Sequence, residues 1–236
     1  MPTPPLLESL KAFDTPTICN ALERVAPERI GYGYTTRPLV CVHPELPPIV
    51  GYARTATIRA VQPSGRNSAA ERDARLAYYE SIAAAPHPTI SVIEDLDPAP
   101  GVGAWWGEVQ THLHRGLGSL GVVTNGSVRD LDVLAEGFQV LAGNVGPSHA
   151  HVHPVAWDVP VSVHGMEVRP GDIVHADRHG AVVIPADVAG HLPDAAAEIA
   201  RGESLLIESS KKPGFDFETL RSLITGAPAP PPGAPR

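Results

Sequence analysis

The central part of the chain alternates short apolar segments with helical ones, and this alternation restricts the fold more than any other feature. Residues 49–61 (IVGYARTATIRAV) are rich in β-branched side chains, residues 69–85 are alanine-rich with a helical pattern, and residues 89–95 (TISVIED) form a second short apolar run. A helical segment at residues 108–117 then precedes LGVVT at residues 120–124. Strands that alternate with helices are typical of βαβ units with parallel strands. The sequence therefore predicts an α/β protein.

Helical patterns also occur towards both ends of the chain. Apolar residues recur at helical spacing in residues 6–13 and again in residues 185–209. Between residues 137 and 185 the pattern is one of short strands separated by Pro-Gly and His-Gly turns. We expect one domain over residues 1–225, built as a layered α/β sandwich with helices at both termini. The Pro-rich residues 226–236 are expected to form a tail that does not pack.

Charge and cysteine content exclude several classes of partner. The net charge is −8 and the 18 Lys and Arg residues are scattered, so no basic surface is predicted to follow a nucleic-acid backbone. Cys19 and Cys41 are too few for a disulfide framework, which favours a reducing compartment. No stretch approaches 18 uninterrupted apolar residues, so no membrane association is expected. The sequence is interpreted as that of a cytoplasmic protein.

The segment GVVTNGSVRD, residues 121–130, is the strongest candidate for a functional site. Its first residues indicate a buried strand, Asn125 and Gly126 indicate a tight turn, and the apolar residues that follow indicate a helix. On this interpretation Ser127 is the N-cap and Asp130 occupies the third helical position, as in a capping box. The sequence therefore predicts a strand-turn-helix corner.

A capping role explains Asp130 but not Arg129, because an arginine at a helix N-terminus opposes the helix dipole. We therefore expect Arg129 to face an anion, together with the backbone amides of residues 125–127. Asp130 would suit a hard cation held beside that anion.

The same segment resembles the GxxxDGxxRD signature of the divalent-metal-dependent aldolases that cleave 4-hydroxy-4-methyl-2-oxoglutarate and 4-carboxy-4-hydroxy-2-oxoadipate. That family also includes regulator of ribonuclease activity A. The resemblance spans roughly residues 12 to 205 and includes four further fragments, which are TPTICNAL (15–22), GYARTAT (51–57), WGE (106–108) and VRPGDIVHADRHGAVVIP (168–185). It implies a swivelling β/β/α form of the layered α/β/β/α sandwich, assembled as a homotrimer or homohexamer.

The resemblance also implies roles for individual residues. Asp130 corresponds to the ligand of Mg²⁺ or Mn²⁺ and Arg129 to the residue that binds the 2-oxo acid substrate. Gly107, Glu108 and Val109 correspond to a loop whose amides hold the substrate carboxylate, and Glu108 also to a carboxylate that holds metal-bound water. A carboxylate from the C-terminal helix of a neighbouring subunit completes that water shell. Glu203 is the candidate here, with Glu198 and Glu208 as competitors.

The implied chemistry is cleavage of a 4-hydroxy-2-oxo acid to pyruvate or a related 2-oxo acid. The cation would accept the substrate's carboxylate and carbonyl oxygens, and the electrons of the broken bond would pass into a metal-stabilised enolate. A lysine Schiff base is not required, and the lysines (Lys11, Lys211 and Lys212) all lie near the ends of the chain. Oxaloacetate decarboxylation would generate the same enolate and is expected as a second activity.

Two features depart from the family pattern and keep alternatives open. Asn125 occupies a position where the family usually has aspartate, which removes one charge from the site. His149, His151 and His153 alternate in the segment HAHVH, and on a strand they would share one face. They could line a pocket, form a histidine-metal site of a hydrolase, or face solvent or another subunit. A protein-binding regulator of the same fold, without enzymatic activity, is a further alternative.

Overall fold

The computed structural model describes residues 3–226 of the chain. Its helices are α1 (Pro4–Leu10), α2 (Thr15–Val25), α3 (Ser68–Ala83), α4 (Glu108–Gly116), α5 (Leu192–Ser210) and α6 (Phe217–Thr225). Its strands are β1 (Val40–Cys41), β2 (Ile49–Arg59), β3 (Thr89–Asp95), β4 (Ala104–Trp106), β5 (Ser119–Val128), β6 (Gln139–Val145), β7 (His153–Trp157), β8 (Val161–Val163), β9 (Met166–Val168), β10 (Ile173–Asp177) and β11 (Gly180–Ile184). Gly226 is the C-cap of α6. The other residues of the expected tail, 227–236, lie outside the described residues.

Within residues 3–226, nine strands form one sheet in the order β1-β6-β5-β3-β2-β10-β11, with β4 beside β5 and β7 beside β2. The strands β2, β3, β5 and β6 pair in parallel, as the βαβ pattern predicted. On one side β2 pairs with β3 over residues 52–58. On its other side β2 pairs first with β10, over residues 49–52, and then with β7, over residues 56–59. This change of partner along one strand curls the sheet.

Alternating apolar side chains on the strands build the layers of the fold. Val50 and Tyr52 of β2 belong to a core shared with α1, α2 and α5. Ile49 and Ala53 of the same strand belong to a second core, which includes the β8–β9 hairpin. A third core packs α3 against β3, β5 and β6. The expected layered α/β sandwich with helices at both ends is therefore confirmed.

Polar contacts attach the N-terminal helices to the sheet. The Asp14 side chain caps α2 by accepting the N–H of Thr17. His175 of β10 is buried, with Nδ1 3.0 Å from Thr15 Oγ1. Asp177 Oδ2 accepts the backbone N–H of Thr15. Burial lowers the pKa of His175, so the neutral form of its ring is favoured in this contact between α2 and β10.

The predicted strand-turn-helix corner is wrong. β5 continues through Asn125, Gly126 and Ser127 to Val128, and a register shift between β5 and β6 absorbs the irregularity. Asn125 Oδ1 accepts the N–H of Asp95, and Asn125 Nδ2 donates to the Asp95 carbonyl. These two bonds hold Asn125 in the sheet, where the sequence favoured a turn. Ser127 is therefore a buried strand residue and not an N-cap.

None of the helices within residues 3–226 is both long enough and apolar enough to cross a bilayer.

Candidate active site

Arg129 and Asp130 lie immediately after the last residue of β5. The N–H of Arg129 donates to the Trp106 carbonyl at 2.9 Å, which fixes the pair beside β4. Asp130 has a φ of 57°, in the left-handed region that aspartate tolerates better than most residues. A turn, and not the predicted helix, covers residues 131–134. Arg129 and Asp130 are thus displayed by a strand end, as is common for catalytic residues of α/β proteins.

The helix N-terminus at this site belongs to α4. Gly107 is the N-cap of α4, and the N–H of Glu108 donates to Asp130 Oδ2 at 3.3 Å. Arg129 Nε lies 3.3 Å from the same oxygen. The Asp130 carboxylate therefore lies at the positive end of the α4 dipole, which stabilises it. The expected anion site formed by the amides of residues 125–127 is not present, because those residues belong to β5 and the N–H of Gly126 donates to Thr124 Oγ1.

Gly107 is required by this close approach and not by its backbone conformation. A Cβ atom at this position would lie 2.5 Å from Asp130 Oδ2 and 3.1 Å from Arg129 Cγ. Its φ of −173° is extended backbone that any residue adopts. The absence of a side chain at position 107 is therefore what lets α4 contact the Arg129–Asp130 pair.

A cavity of about 360 Å³ opens beside the pair. Arg129 and Asp130 line it, and their side chains are 36% and 35% exposed. The other lining residues come from α3, β4, the start of α4 and the loop before β7, and they are Arg75, Ala104, Trp105, Gly107, Val109, Gln110, His149 and Val152. The structure thus brings together four of the predicted residues, which are Gly107, Val109, Arg129 and Asp130. Glu108 contacts the pair through its backbone amide.

Buried hydrogen bonds hold α4 in place. Thr111 Oγ1 lies 3.0 Å from the Gly107 carbonyl and accepts the N–H of Ala135, which ties α4 to the chain after Asp130. His114 Nε2 lies 2.7 Å from Tyr78 Oη, and its Nδ1 lies 2.7 Å from the Gln110 carbonyl. In this arrangement Nδ1 donates to the carbonyl and Nε2 accepts from the tyrosine. Burial lowers the pKa of His114 to about 4, in agreement with a neutral ring.

The two tryptophans of β4 pack in the core. Trp106 is fully buried and Trp105 is 4% exposed. Trp106 stacks against Phe138 with ring centroids 5.8 Å apart. Trp105 therefore adds an apolar wall to the cavity from the core side.

The prediction that three alternating histidines share one strand face is wrong. Only His153 belongs to β7, where it is buried, whereas His149 and His151 lie in the preceding loop. Ala150, with a φ of 45°, turns the chain between them. His149 is nevertheless one of the residues that line the cavity, as one of the open interpretations proposed.

The side chains present fit a hard divalent cation better than a transition-metal cage. Among the residues described, no three His, Cys, Asp or Glu side chains gather as a metal-binding group. Mg²⁺ typically binds through one or two carboxylates and keeps waters and substrate oxygens as its other ligands. Asp130 offers one partly exposed carboxylate at the wall of an open cavity, which matches that requirement.

The family model described as "RraA-like: Aldolase/RraA" matches residues 15–183. This match covers most of the chain and includes β5, the start of α4 and the Arg129–Asp130 pair. The chain belongs to the RraA-like family.

Curated relatives of this RraA-like chain match shorter stretches. A protein of Stutzerimonas stutzeri, provisionally named a 4-hydroxy-4-methyl-2-oxoglutarate aldolase, is 38% identical over 76 residues, which are 28% of this chain and 41% of that protein. Protein DlpA of Legionella pneumophila is 31% identical over 90 residues, which are 35% of this chain and 14% of DlpA. The alignments thus span less than half the length of these relatives.

Solved structures match almost the whole chain. An uncharacterised protein of Pseudomonas syringae has a TM-score of 0.70 at 22% identity and covers 93% of this chain and 94% of its own. Streptomyces coelicolor RraAS2, described as an unusual member of the RNase ES inhibitor RraA protein family, has a TM-score of 0.67 at 25% identity and covers 86% of this chain and 96% of its own. These likenesses support the fold.

The candidate carboxylates of the C-terminal helix lie away from the cavity. Glu203 is exposed on α5 and does not line the cavity. Glu198 pairs with Arg24 at 2.6 Å, and Glu208 pairs with Lys211 at 2.7 Å. Of the three, Glu203 is the one without an ion pair among the described residues. It therefore stays the candidate for a contribution from one copy of the chain to another.

Sequence reasoning missed Arg75 and Gln110 as cavity residues. Arg75 lies on α3 three residues before Tyr78 and seven before Ile82, both of which are buried, while its own side chain is 44% exposed. Its helical spacing from these buried residues, which places it beside the packed face of α3, is the signal that could have identified it.

Proposed function

We propose that this chain is a divalent-metal-dependent carbon–carbon lyase that cleaves a 4-hydroxy-2-oxo acid and releases pyruvate or a related 2-oxo acid. The observation that carries the proposal is the convergence of Arg129, Asp130 and the N-terminus of α4 on one cavity. The aldolase names of the partly aligned relatives support the same reaction class.

Asp130 would hold the cation, Mg²⁺ or Mn²⁺. Its carboxylate is oriented by the Glu108 N–H and by Arg129. A divalent cation bound there would polarise the 2-oxo acid and stabilise the negative charge that develops on the carbonyl oxygen.

Arg129 would bind the substrate's 2-oxo acid end. Its Nε faces Asp130, and a guanidinium carries two further nitrogens that can donate to a carboxylate. The amides at the start of α4 add a second, positively polarised wall for the same carboxylate. Together they would hold the carbon–carbon bond in a fixed orientation, which is itself a source of rate.

Carboxylates would hold the water that accepts the proton of the substrate's 4-hydroxyl group. Cleavage of the C3–C4 bond requires removal of the proton from the 4-hydroxyl group, and the bonding electrons then move towards the carbonyl. We assign to Glu108, with Glu203 of a second copy in a homotrimer or homohexamer, the task of holding the water that accepts this proton. Oxaloacetate decarboxylation would place negative charge on the same oxygen, so it is proposed as a second activity.

A regulator that binds another protein is the second candidate function. The likeness to Streptomyces coelicolor RraAS2 over 86% of this chain favours it, because RraAS2 is described within an RNase inhibitor family. Such a role would use the fold without requiring Arg129 and Asp130 to share a cavity.

Pyruvate release separates the two candidates. Purified protein is incubated with oxaloacetate, and separately with 4-hydroxy-2-oxoglutarate, in Mg²⁺ or Mn²⁺ with and without EDTA. The lyase proposal predicts pyruvate that depends on both protein and cation and disappears with EDTA. Absence of cation-dependent pyruvate from both substrates contradicts it and favours the regulator.

A further inference from the structure

The proposed reaction requires a side chain that finally takes the proton of the 4-hydroxyl group, because a neutral water passes that proton on and does not keep it. Arg75 and Arg129 line the cavity with guanidinium groups, which stay protonated, and Asp130 is assigned to the cation. The amide of Gln110 is not a base. Among the described residues that line the cavity, His149 therefore has the one remaining side chain that can accept a proton near neutral pH.

A local hydrogen bond fixes the tautomer of the His149 ring. His149 Nδ1 lies 2.8 Å from the Ala150 carbonyl oxygen. A carbonyl oxygen can only accept, so Nδ1 carries the hydrogen, and in the neutral ring Nε2 keeps a free lone pair. Within residues 3–226, Nε2 makes no hydrogen bond or ion pair, and the residue is exposed. The ring thus offers to water the unprotonated nitrogen that a general base requires.

The loop that carries His149 is held in an uncommon conformation. Ala150 has a φ of 45°, a left-handed value that residues with a Cβ atom rarely adopt. Its N–H donates to Ser148 Oγ at 3.0 Å, and the N–H of Val152 donates to the His149 carbonyl at 3.0 Å. The N–H of Ala104 donates to the Ser148 carbonyl at 2.9 Å, which ties the loop to β4. Strained backbone that its surroundings maintain is found preferentially at functional sites.

The same loop packs directly against the residue before β4. A Cβ atom at Gly103 would lie 2.6 Å from the His149 carbonyl oxygen and 2.6 Å from Ala60 Cβ, so a side chain there would displace the loop. At its other end β4 leads into Gly107, where a glycine likewise permits the close approach to Asp130. His149 and Asp130 are therefore positioned by the two ends of one short strand.

We propose that His149 is the general base of the cleavage and takes the proton of the substrate's 4-hydroxyl group through the water assigned to Glu108. As the O–H bond breaks, the oxygen on C4 becomes a carbonyl oxygen. The C3–C4 bond breaks in the same step, and its electron pair moves towards the 2-oxo group. The proton on Nε2 then returns to C3 of the pyruvate, so the ring ends the cycle neutral. This role rests on the proposed lyase function and assigns its base.

Two substrates separate this role from a structural one. Oxaloacetate loses CO₂ without removal of an O–H proton, whereas 4-hydroxy-2-oxoglutarate must lose its 4-hydroxyl proton, and both would release pyruvate in Mg²⁺. His149→Ala should therefore lower the ratio of kcat for the hydroxy acid to kcat for oxaloacetate by about 100-fold, a common size for a general-base contribution. Imidazole added to this variant should restore part of the hydroxy-acid cleavage. Mg²⁺ suits this arm because it prefers oxygen ligands to imidazole.

His151→Ala is the matched control. His151 lies two residues away in the same loop, is exposed and does not line the cavity, so this variant should behave as the wild-type protein does, with and without imidazole. Calorimetric titration of Mn²⁺ into His149→Ala adds a readout that does not depend on turnover, and wild-type affinity is expected. Thermal unfolding of both variants shows whether a loss reflects folding.

The outcomes distinguish the role of His149 from the lyase function. The role is overturned if His149→Ala keeps the wild-type ratio, if imidazole restores no cleavage, or if the variant loses Mn²⁺ binding, which would make His149 a cation ligand. In each of these cases pyruvate release by the wild-type protein still supports the lyase function. Pyruvate from oxaloacetate alone also overturns the role, since no 4-hydroxyl proton is then removed. If the wild-type protein releases pyruvate from neither substrate, the lyase function fails and the role of His149 fails with it.

Discussion

The backbone amide of Glu108 donates to the carboxylate of Asp130, so a hydrogen bond joins the first turn of α4 to the residue pair that follows β5. The two residues are 22 positions apart, and Gly107 makes their contact sterically accessible. The candidate active site is therefore a junction between two elements. Changes that separate these elements should impair function even where no catalytic group is removed.

Gly107→Ala tests this junction. The added methyl group would lie 2.5 Å from Asp130 Oδ2, so α4 or the Arg129–Asp130 pair must move. We expect a loss of about 1–3 kcal/mol in the free energy of unfolding, typical of an overpacked site, and a fall in kcat/KM of at least about tenfold. Gly116→Ala at the other end of α4 is the control, because its Cβ would meet no atom within 4 Å. It should be neutral or slightly stabilising. Equal effects of the two substitutions would contradict the steric argument.

Much of the architecture could be predicted because its signals are local. The alternation of strands with helices correctly indicated the parallel strands. The path of β5 could not be predicted in this way. Asn125 is retained in the strand by bonds to Asp95, which is 30 residues away, and such a partner is invisible in a local pattern.

The candidate site, too, could be predicted only in part. The Arg129–Asp130 pair was singled out from its own charges and Gly107 through a resemblance, and the structure brings them together. The capping explanation for Asp130 was wrong, because the relevant helix precedes the strand and does not follow it. His149 reaches the cavity from a loop whose turn at Ala150 has no clear sequence signal.

The Thr111 hydroxyl links α4 to the chain after Asp130 through its bonds to the Gly107 carbonyl and the Ala135 N–H. This hydroxyl can be replaced by a methyl group without a large change in side-chain shape. In Thr111→Val the buried N–H of Ala135 loses its acceptor, which should cost about 1–3 kcal/mol of stability. Thr111→Ser keeps the hydroxyl and should recover most of that loss. Chemical denaturation of both variants measures the difference. A valine variant as stable as the serine variant would show that the bond does not hold α4 in place.

His114 should make the stability of the protein depend on pH. Burial lowers its pKa from 6.5 to about 4, so between these values the unfolded chain binds more protons than the folded one. The free energy of unfolding should be at its full value above pH 6.5 and should fall as the pH drops towards 4. His114→Gln should show a shallower decline than the wild-type protein in denaturation curves over this range. His112→Gln, exposed on the same helix, should follow the wild-type protein. A decline of the same slope in all three proteins would exclude His114 as its source.

Arg129→Lys tests the geometry of substrate binding while keeping the charge. A lysine cannot contact Asp130 and also present two parallel donors to a carboxylate. We expect kcat/KM for the 2-oxo acid to fall by about 10- to 100-fold with little change in thermal stability, since the side chain is 36% exposed. Retention of wild-type kcat/KM would show that charge alone is sufficient at this position.

The central claim is that Asp130 binds the divalent cation on which the reaction depends, and Mn²⁺ binding to Asp130→Asn tests it most directly. Asparagine keeps the size of the side chain and tolerates the left-handed backbone, so a folding defect is not expected. Asp132→Asn is the matched control, because Asp132 is exposed two residues away and does not line the cavity. Titration calorimetry should show Mn²⁺ binding to the wild-type protein and to Asp132→Asn, and none to Asp130→Asn, with cation-dependent pyruvate release lost in the same variant. Wild-type Mn²⁺ affinity in Asp130→Asn would contradict the account.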